Sequence, residues 1–353
     1  MVIKINSVKI GQYTINSFSE PFIIAEAGIN HNGNIDKAIE MIHVAKKSGV
    51  NAIKFFTYKT SEFILDKNLE HTYFSKGKKI TESMKDMFER CEFSKEEWLT
   101  IKKKCDDEKI LFFSTPENRS DLDLLLELDV KVIKIGSDDL VNIPLIKDFS
   151  TTGLPIIMSC GMSNLDEINE TLQCFNEFTN YPIILMLTTS EYPTKSEDVN
   201  LLKLKTLSKT FPNIPLGYSD HTQGNLAASI AVGLGAKVFE KHFTLSHDFP
   251  GPDHWFSADP NELKNWSDSI KMSHIMLGSE TIQPTKKEIT EKEKARRSVV
   301  AIKNILQGDI FSEKNLGLRR PGYGLPPKMI FELFGKKSKK EIMKGKLIDS
   351  DDF

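Results

Sequence analysis

The apolar residues of this chain are grouped in short runs that alternate with longer segments of helical period from Phe22 onward. The runs are rich in Ile, Val and Phe, and many are apolar at consecutive positions. In chain order they are FIIAEAG (22–28), AIKFF (52–56), LFFSTP (111–116), VIKIG (132–136), PIIMSCG (155–161), PIILMLT (182–188), IPLGYSD (214–220) and AKVFEKHF (236–243). Because strands that are apolar on both faces are typical of parallel sheets covered by helices, the runs predict eight buried parallel strands.

The segments between the runs have the pattern of amphipathic helices. One apolar stripe ends at Gly49, a residue suited to the C-terminal end of a helix. Its members are Ile35, Ala38, Ile39, Ile42 and Ala45. Asn164 followed by Glu167 has the spacing of a capping box. Eight such strand and helix units between Phe22 and about Leu277 predict an α/β fold, a (β/α)8 TIM barrel rather than a doubly wound sheet.

Both ends of the chain depart from this repeating pattern. Residues 1–18 alternate apolar and polar positions without the apolar core of a signal peptide, and predict a short hairpin. Residues 281–297 are charged and predict a solvated linker that is partly helical. Residues 298–353 combine short strand patterns with glycine turns and predict a small β-rich domain. The predicted organisation is therefore 1–280 for the hairpin and barrel, 281–297 for the linker and 298–353 for the small domain.

The charge balance excludes some classes of partner. Lys and Arg total 47 and Asp and Glu total 49, a net charge of -2, so no global basic field is available for nucleic acid or an anionic membrane. No apolar run approaches the roughly 18 residues of a membrane span. The four cysteines show no C-x-x-C spacing, which favours reduced thiols and a cytoplasmic protein.

Polar residues at the C-terminal ends of the predicted strands are the candidates for chemistry, because barrel enzymes bind and react at that end. Ser219 and His221 share a face of the seventh strand, and Glu240 and His242 share a face of the eighth. Two imidazoles at matching heights on neighbouring strands predict a pair of ligands for a divalent metal ion, with coordination positions left open for substrate and water. The alternative is a pair of buried histidines bonded to backbone carbonyls.

Two further histidines follow the eighth strand. His247 lies in a polar loop and is expected to be exposed. His254 follows Asp253 in GPDH, where a substrate contact and a hydrogen bond that stabilises the loop are both open.

Two strand-end lysines, Lys54 and Lys134, are expected inside the same rim. A lysine there needs an anionic partner, and neighbouring hydroxyls suit phosphate or carboxylate oxygens of a substrate. An ion pair with Glu26 or Glu240 is the structural alternative. A third interpretation is a lysine that forms a Schiff base with the substrate, and the predicted pair of metal ligands argues against it.

Taken together, the motifs resemble those of the sialic acid synthase family, which condenses phosphoenolpyruvate to make N-acetylneuraminate, legionaminate and pseudaminate. The motifs are IIAEAGINHNG (23–33), IKFFTY (53–58), FFSTPE (112–117), KIGS (134–137), SCGM (159–162), EYPTKSEDVNL (191–201), GYSDHT (217–222), EKHFT (240–244) and GPDHWFS (251–257). The tail from ARRSVVAIKNI to LRRPGYGLPP is similar to the family's antifreeze-like (SAF) domain. The resemblance covers essentially the whole chain in order.

The resemblance implies a role for each matched position. His221 and His242 match ligands of Mn²⁺ or Mg²⁺, and Glu26 matches a catalytic acid near the metal. The positions around phosphoenolpyruvate are Lys134, Ser137, Ser159 and Ser219. The positions near an amino-sugar acceptor are Lys54, Thr115, Tyr192 and Asp253. Arg320 matches an arginine lent to the other subunit's site, which implies a domain-swapped homodimer.

Departures from the family pattern cluster around the acceptor. Phe56 replaces a glutamine, Asp138 and Asp139 replace Gly-Glu, and Ser190 stands where the neuraminate enzymes have asparagine. On strand six, His-Cys-Thr becomes Leu187, Thr188 and Thr189. These changes predict retained condensation chemistry with a different sugar, and a more apolar pocket would suit a 6-deoxy diacetamido acceptor.

Two other functions are open from the sequence. The lost strand-six histidine would suit a catalytically silent sugar-binding protein that kept the fold. A condensation with a phosphorylated aldose would need an additional Arg/Lys pair for the second phosphate, and no such pair stands at a strand end.

Overall fold

A computed structural model describes residues 7–175 and 180–353, which form two compact units divided between Gly278 and Ser279. In chain order the strands are β1 (Val8–Ile10), β2 (Tyr13–Ile15), β3 (Phe22–Gly28), β4 (Ala52–Thr57), β5 (Glu70–Ser75), β6 (Lys78–Ser83), β7 (Leu111–Pro116), β8 (Ile133–Ile135), β9 (Ile156–Ser159), β10 (Ile183–Leu187), β11 (Leu216–Ser219), β12 (Val238–His242), β13 (Ser298–Ala301) and β14 (Leu316–Arg319). The helices are α1 (Ile35–Lys47), α2 (Thr60–Phe63), α3 (Met84–Glu89), α4 (Lys95–Glu108), α5 (Arg119–Glu127), α6 (Ile143–Ser150), α7 (Leu165–Gln173), α8 (Lys203–Thr210), α9 (Leu226–Gly233), α10 (Pro260–Leu277), α11 (Lys286–Ala295) and α12 (Ile330–Leu333).

The first unit is built around one eight-stranded parallel sheet. Its order is β7-β4-β3-β12-β11-β10-β9-β8, and the end strands β7 and β8 lie beside each other, so the sheet curls into a nearly closed barrel. All eight predicted runs form these strands, and the (β/α)8 prediction is confirmed. The strands are buried along almost their whole length, as expected for a sheet packed on its inner face and covered by helices outside.

Local sequence signals explain where the outer helices begin and end. Asn34 caps α1 by accepting from the backbone N–H of Lys37, and Gly49 follows the helix with a φ of +74°. Asn164 and Glu167 form the predicted capping box of α7. Within the part of the chain that the structure describes, no helix has the length and apolar character needed to cross a membrane.

Two antiparallel hairpins are added to the barrel. The predicted N-terminal hairpin is formed by β1 and β2. A second hairpin, β5–β6, is inserted together with α2 and α3 in the chain segment that connects barrel strands β4 and β7. The sequence pattern did not predict this hairpin. Its turn is Lys76-Gly77, with both residues at positive φ. This insertion packs a satellite apolar cluster with Tyr58, Met87 and Phe88.

The second unit has a small core of its own. The predicted charged helix is α11, which is exposed throughout. Strands β13 and β14 pair antiparallel, and the core around them includes Val299, Phe311 and Leu333.

A buried polar network joins the ends of β11 and β12 to α10. The carboxylate of Asp220, whose side chain is fully buried, accepts from Lys241 Nζ at 3.1 Å and from Trp266 Nε1 at 2.9 Å. Its other oxygen accepts from the backbone N–H and hydroxyl of Thr222 at 2.9 and 2.7 Å. The carboxylate therefore neutralises a lysine that the strand places in the protein interior.

Asp220→Ala is expected to lower the free energy of unfolding of the barrel by about 3 to 5 kcal/mol, because it leaves the Lys241 ammonium buried and unpaired. Urea unfolding followed by tryptophan fluorescence measures this unit specifically, since all three tryptophans lie in it. The double variant Asp220→Ala, Lys241→Met should recover much of the loss. A single-variant loss below about 1 kcal/mol would contradict this role.

Candidate active site

The parallel register of the barrel brings the strand-end residues together. His242 is paired in register with Glu26, Glu26 with Lys54, and Ser219 with Glu240. Each pair is a direct consequence of neighbouring strands running in the same direction with their C-terminal ends at one rim. The barrel therefore brings these residues together at one mouth, as the strand ends in the sequence predict.

Lys54 connects two carboxyl groups in the floor of this mouth. Its Nζ lies 2.8 Å from Glu26 Oε2 and 3.7 Å from Glu240 Oε1, and it donates to Thr115 Oγ1 at 3.1 Å. All four side chains are buried. Burial opposes the charge on Lys54, but the Glu240 and Glu26 carboxylates outweigh it and raise the pKa of the ammonium. The contact of this lysine with Glu26 or Glu240 that was considered from the sequence is thus present, and both carboxyl groups take part in it.

The two glutamates are held in different protonation states. Burial raises the pKa of Glu26 to about 8, against the opposing effect of Lys54, and Glu240 adds to the rise. Burial also disfavours a charge on Glu240, but Lys134 and Lys54 together lower the pKa of that carboxyl. The surroundings therefore favour the protonated form of Glu26 and the ionised form of Glu240. We assign the proton to Oε1 because Oε2 faces the Lys54 ammonium.

A second group of donors lies at the ends of β8 and β9. Lys134 Nζ donates to Ser159 Oγ at 2.6 Å and to the carbonyl of Ile135 at 2.9 Å, and burial lowers the pKa of the lysine. Ser137 Oγ accepts from the backbone N–H of Gly161 at 3.1 Å. An ammonium with hydroxyls and a backbone N–H around it is a suitable arrangement for the oxygens of an anion.

His221 and His242 are neutral, with their rings 5.4 Å apart between centroids. Burial lowers the pKa of His221 to about 4. Burial, with the neighbouring His221 second, lowers the pKa of His242 well below its usual range. His221 Nδ1–H donates to the carbonyl of Thr189 at 2.7 Å, which leaves a lone pair on Nε2. Among the described residues, His242 Nδ1 is buried without a hydrogen-bond partner.

The residues around these imidazoles fit a divalent metal ion. Gly28 has a φ of +51°, and a Cβ there would lie 3.4 Å from Glu26 Oε1 and 3.9 Å from both His242 Nδ1 and Asp253 Oδ2. The glycine therefore keeps open a space bordered by an imidazole and two carboxyl groups. Neutral imidazoles beside carboxyl oxygens are a suitable donor set for such an ion, and His221 and His242 are the residues that could hold it.

Aromatic and acidic side chains form the outer wall of the mouth. The Tyr192 ring lies 4.2 Å from the ring of His221 and 5.3 Å from that of Phe256, and Tyr192 is 44 % exposed. Asp253 Oδ2 lies 3.8 Å from His242 Nδ1, and burial raises the pKa of Asp253 to about 7. Tyr192 and Asp253 therefore stand at the same opening as Lys54 and Thr115, but nearer to solvent.

Arg320 is in the second unit, where it is exposed and precedes Pro321. Its role in another subunit's site stays a prediction.

The departures from the family pattern have distinct surroundings. Phe56 is half-buried, and its ring lies 5.2 Å from Tyr58 and 6.1 Å from both Phe63 and Phe88, in the satellite cluster under the insertion. The Ser190 hydroxyl lies beside Gly161, where a Cβ would approach it to 2.5 Å. On β4, Phe56 is two positions after Lys54 and is paired in register with Thr115, so it follows Lys54 on the same face of the strand.

Two acidic residues of the site received no catalytic or binding role from the sequence, where Glu240 was considered only as an ion-pair partner of a lysine. Glu240 stood at a strand end, and its place beside Lys54 and Ser219 could have been found from its spacing to His242. Glu117 directly follows β7 and is buried, and its Oε1 has no hydrogen-bond partner among the described residues. Burial raises its pKa well above the usual range, with Asp138 and Asp139 adding to the rise.

The two remaining histidines differ in their surroundings. His254 is buried, with Nδ1 2.7 Å from Thr244 Oγ1, so it stabilises the loop. His247 is exposed as predicted, and it forms with Asp259 and Glu262 a group whose ligand atoms lie within 4.8 Å of one another. Asp259 and Glu262 already cap α10 through the backbone, so these carboxylates have a structural role.

Comparisons with known proteins agree with this architecture. Residues 41–282 match the NeuB family and residues 296–353 match the SAF domain. The chain is 36% identical over 330 residues to the N,N'-diacetyllegionaminic acid synthase of Legionella pneumophila, covering 92% of each chain. It is 35% identical over 320 residues to the human N-acetylneuraminate-9-phosphate synthase, covering 90% of this chain and 88% of that one.

A solved structure gives the same result. The sialic acid synthetase of Leptospira borgpetersenii serovar Hardjo-bovis, crystallised with citrate, has a TM-score of 0.72 and 32% identity, covering 81% of this chain and 94% of that one. The fold and the site define a barrel enzyme with an appended SAF domain. The chain belongs to the NeuB family.

Proposed function

We propose that the protein is a synthase of sialic-acid-type sugars that condenses phosphoenolpyruvate with an N-acetylated amino sugar and releases phosphate. The acceptor is N-acetylmannosamine or a 6-deoxy diacetamido relative, and the product is a nine-carbon sugar acid for surface glycans. The observation that carries the proposal is the arrangement at one barrel mouth of two imidazoles, two glutamates and two lysines, all of them buried or nearly so. The names of the relatives support the product class.

Phosphoenolpyruvate binds at the ends of β8, β9 and β11. Lys134 supplies the positive charge, and Ser137, Ser159 and Ser219 supply hydroxyls for the phosphate and carboxylate oxygens. Because Lys134 is buried, its charge is little screened by solvent and attracts an anion more strongly than a surface lysine would.

The acceptor binds toward the outer wall, among Lys54, Thr115, Tyr192 and Asp253. A divalent cation, Mn²⁺ or Mg²⁺, held by His221 and His242 would polarise the aldehyde oxygen of the open-chain sugar. The Phe56 ring lacks hydrogen-bonding groups and favours an apolar substituent of the sugar.

Glu26 manages the proton transfers of the reaction. Carbon 3 of phosphoenolpyruvate forms the new bond to the aldehyde carbon, water adds at carbon 2, and the C–O bond to phosphate then breaks. Glu26 Oε1, which carries the proton and borders the space beside Gly28, can donate to the aldehyde oxygen or, once deprotonated, accept from the water. Lys54 stabilises the carboxylate that results.

The proposal includes the oligomeric state. We place the exposed Arg320 in the site of a second subunit, in a domain-swapped homodimer that works in the cytoplasm. Size-exclusion chromatography with light scattering should then give twice the mass of 40.0 kDa.

Phosphate release tests the reaction. The protein with Mn²⁺ and phosphoenolpyruvate is offered N-acetylmannosamine, 6-deoxy diacetamido hexoses and phosphorylated aldoses, each with and without chelator. The expected result is release that depends on metal and on one unphosphorylated amino sugar. Release with a phosphorylated aldose alone would contradict the proposal. If a folded, metal-loaded protein released no phosphate but still bound amino sugar, the result would favour the catalytically silent alternative.

A further inference from the structure

The loop that carries Asp253 has little regular structure of its own. It connects β12 to α10 as residues 243–259, and its ends pair only through the bridge between Phe243 and Ala258. Asp253 nevertheless faces a defined partner, with its Oδ2 3.8 Å from His242 Nδ1. The position of this carboxylate must therefore come from side chains that fix the loop.

Asn32, in the loop after β3, holds one side of this loop. Its Nδ2 donates to the carbonyl of Pro250 at 2.8 Å, and its Oδ1 lies 3.3 Å from His254 Nε2. His254 Nδ1 in turn lies 2.7 Å from Thr244 Oγ1. The Thr244 hydroxyl also donates to the carbonyl of Ser246 at 3.0 Å, so His254 connects Asn32 to a side chain that is itself bonded within the loop.

The space for this contact depends on a glycine. Gly251 has a φ of +146°, and a Cβ there would lie 2.8 Å from His254 Cδ2 and 3.0 Å from Asn32 Oδ1. Any other residue would separate Asn32 from His254. The two side chains and Gly251 form what we call the Asn32–His254 clip.

Asn30 fixes the other side of the loop. Its Nδ2 donates to the carbonyl of Phe243 at 2.8 Å and to Ser257 Oγ at 3.0 Å. Ser257 Oγ donates to the backbone carbonyl of Asp253 at 2.6 Å. The backbone of Asp253 is thereby tied to the same β3 loop that carries Asn32.

We propose that Asn32 and His254 are positioning residues that set the Asp253 carboxylate against His242 and so determine how tightly the acceptor sugar binds. The inference rests on the proposed function for the role of Asp253. Neither residue of the clip contacts the carboxyl groups or lysines in the floor of the mouth, so the clip acts through the loop.

The variant Asn32→Gly tests the clip with little risk to folding, because Asn32 has a φ of +53° that glycine adopts readily. Hydrogen–deuterium exchange of the full-length protein should show about tenfold faster exchange in residues 244–257 and unchanged exchange in the barrel strands. Asn32→Asp, which keeps the acceptor for His254, should show a smaller change. Unchanged exchange in Asn32→Gly would overturn the proposal whether or not the protein is an enzyme.

Kinetics test the link to Asp253. Asn32→Gly and Asp253→Asn should each raise the KM for the acceptor about tenfold, with the KM for phosphoenolpyruvate unchanged. If the clip acts through Asp253, the double variant should stay within about threefold of Asp253→Asn. If the KM of the double variant rose about a hundredfold, the product of the two single effects, the clip would act elsewhere and the proposal would be overturned. An inactive wild-type protein would contradict the proposed function, and the exchange experiment would still decide the clip.

Discussion

Glu26→Gln is expected to lower kcat by about 10²- to 10⁴-fold, the range typical of a lost general acid or base. Glutamine has nearly the shape of the protonated glutamate and can keep a hydrogen-bonding group next to Lys54. It cannot give up or take back a proton at the position of Oε1. Single-turnover phosphate release measures the change at the chemical step.

The matched control is Glu40→Gln, an exposed position on α1 that should leave kcat unchanged. If the only role of Glu26 were to provide a polar partner for the buried Lys54, Glu26→Gln would mainly change stability and keep the rate. A variant that unfolds earlier in urea but turns over within about threefold of the wild type would therefore remove Glu26 from the chemistry.

Loss of either imidazole is expected to have the larger effect. His221→Gln and His242→Gln should each lower the rate by about 10³-fold or more, because activation of the carbonyl by a bound cation contributes several kcal/mol. The wild-type protein should lose activity on dialysis against chelator and regain it with Mn²⁺. The two variants should not regain activity at the Mn²⁺ concentrations that restore the wild-type protein.

A third variant separates this site from the group of ionisable side chains at the start of α10. His247→Gln removes the histidine of the His247, Asp259 and Glu262 group and should keep both activity and Mn²⁺ stoichiometry. Metal content after dialysis, measured by inductively coupled plasma spectrometry, completes the test. If bound Mn²⁺ disappeared in His247→Gln and persisted in His242→Gln, the assignment of the metal to the barrel mouth would be wrong.

The barrel could be predicted from the sequence because each of its strands is an apolar run of its own. Burial on both faces makes most strand positions apolar, so the strands are visible without any knowledge of their neighbours. The β5–β6 hairpin was missed for the opposite reason. Most of its residues are exposed or half-buried, and its stability comes from contacts with α3 and with the satellite cluster that the local pattern does not contain.

The site divides in a similar way. His221, His242, Glu26 and Lys54 could be placed from the sequence because the C-terminal ends of parallel strands meet at one rim. The different protonation states of Glu26 and Glu240 depend on distances across three strands, which spacing along the chain does not give. The role of His254 depends on a contact 222 positions away in the chain, with Asn32.

The β5–β6 insertion has a consequence for how this enzyme could change over evolution. Ser75 at its tip accepts from the backbone N–H of Gly251, the Phe74 ring lies 5.6 Å from Trp255, and Phe56 packs on the cluster below. The insertion therefore touches the outer wall of the mouth and none of the paired charges in its floor. A lineage could exchange this one segment and acquire a new sugar preference while inheriting the bond-forming machinery unaltered.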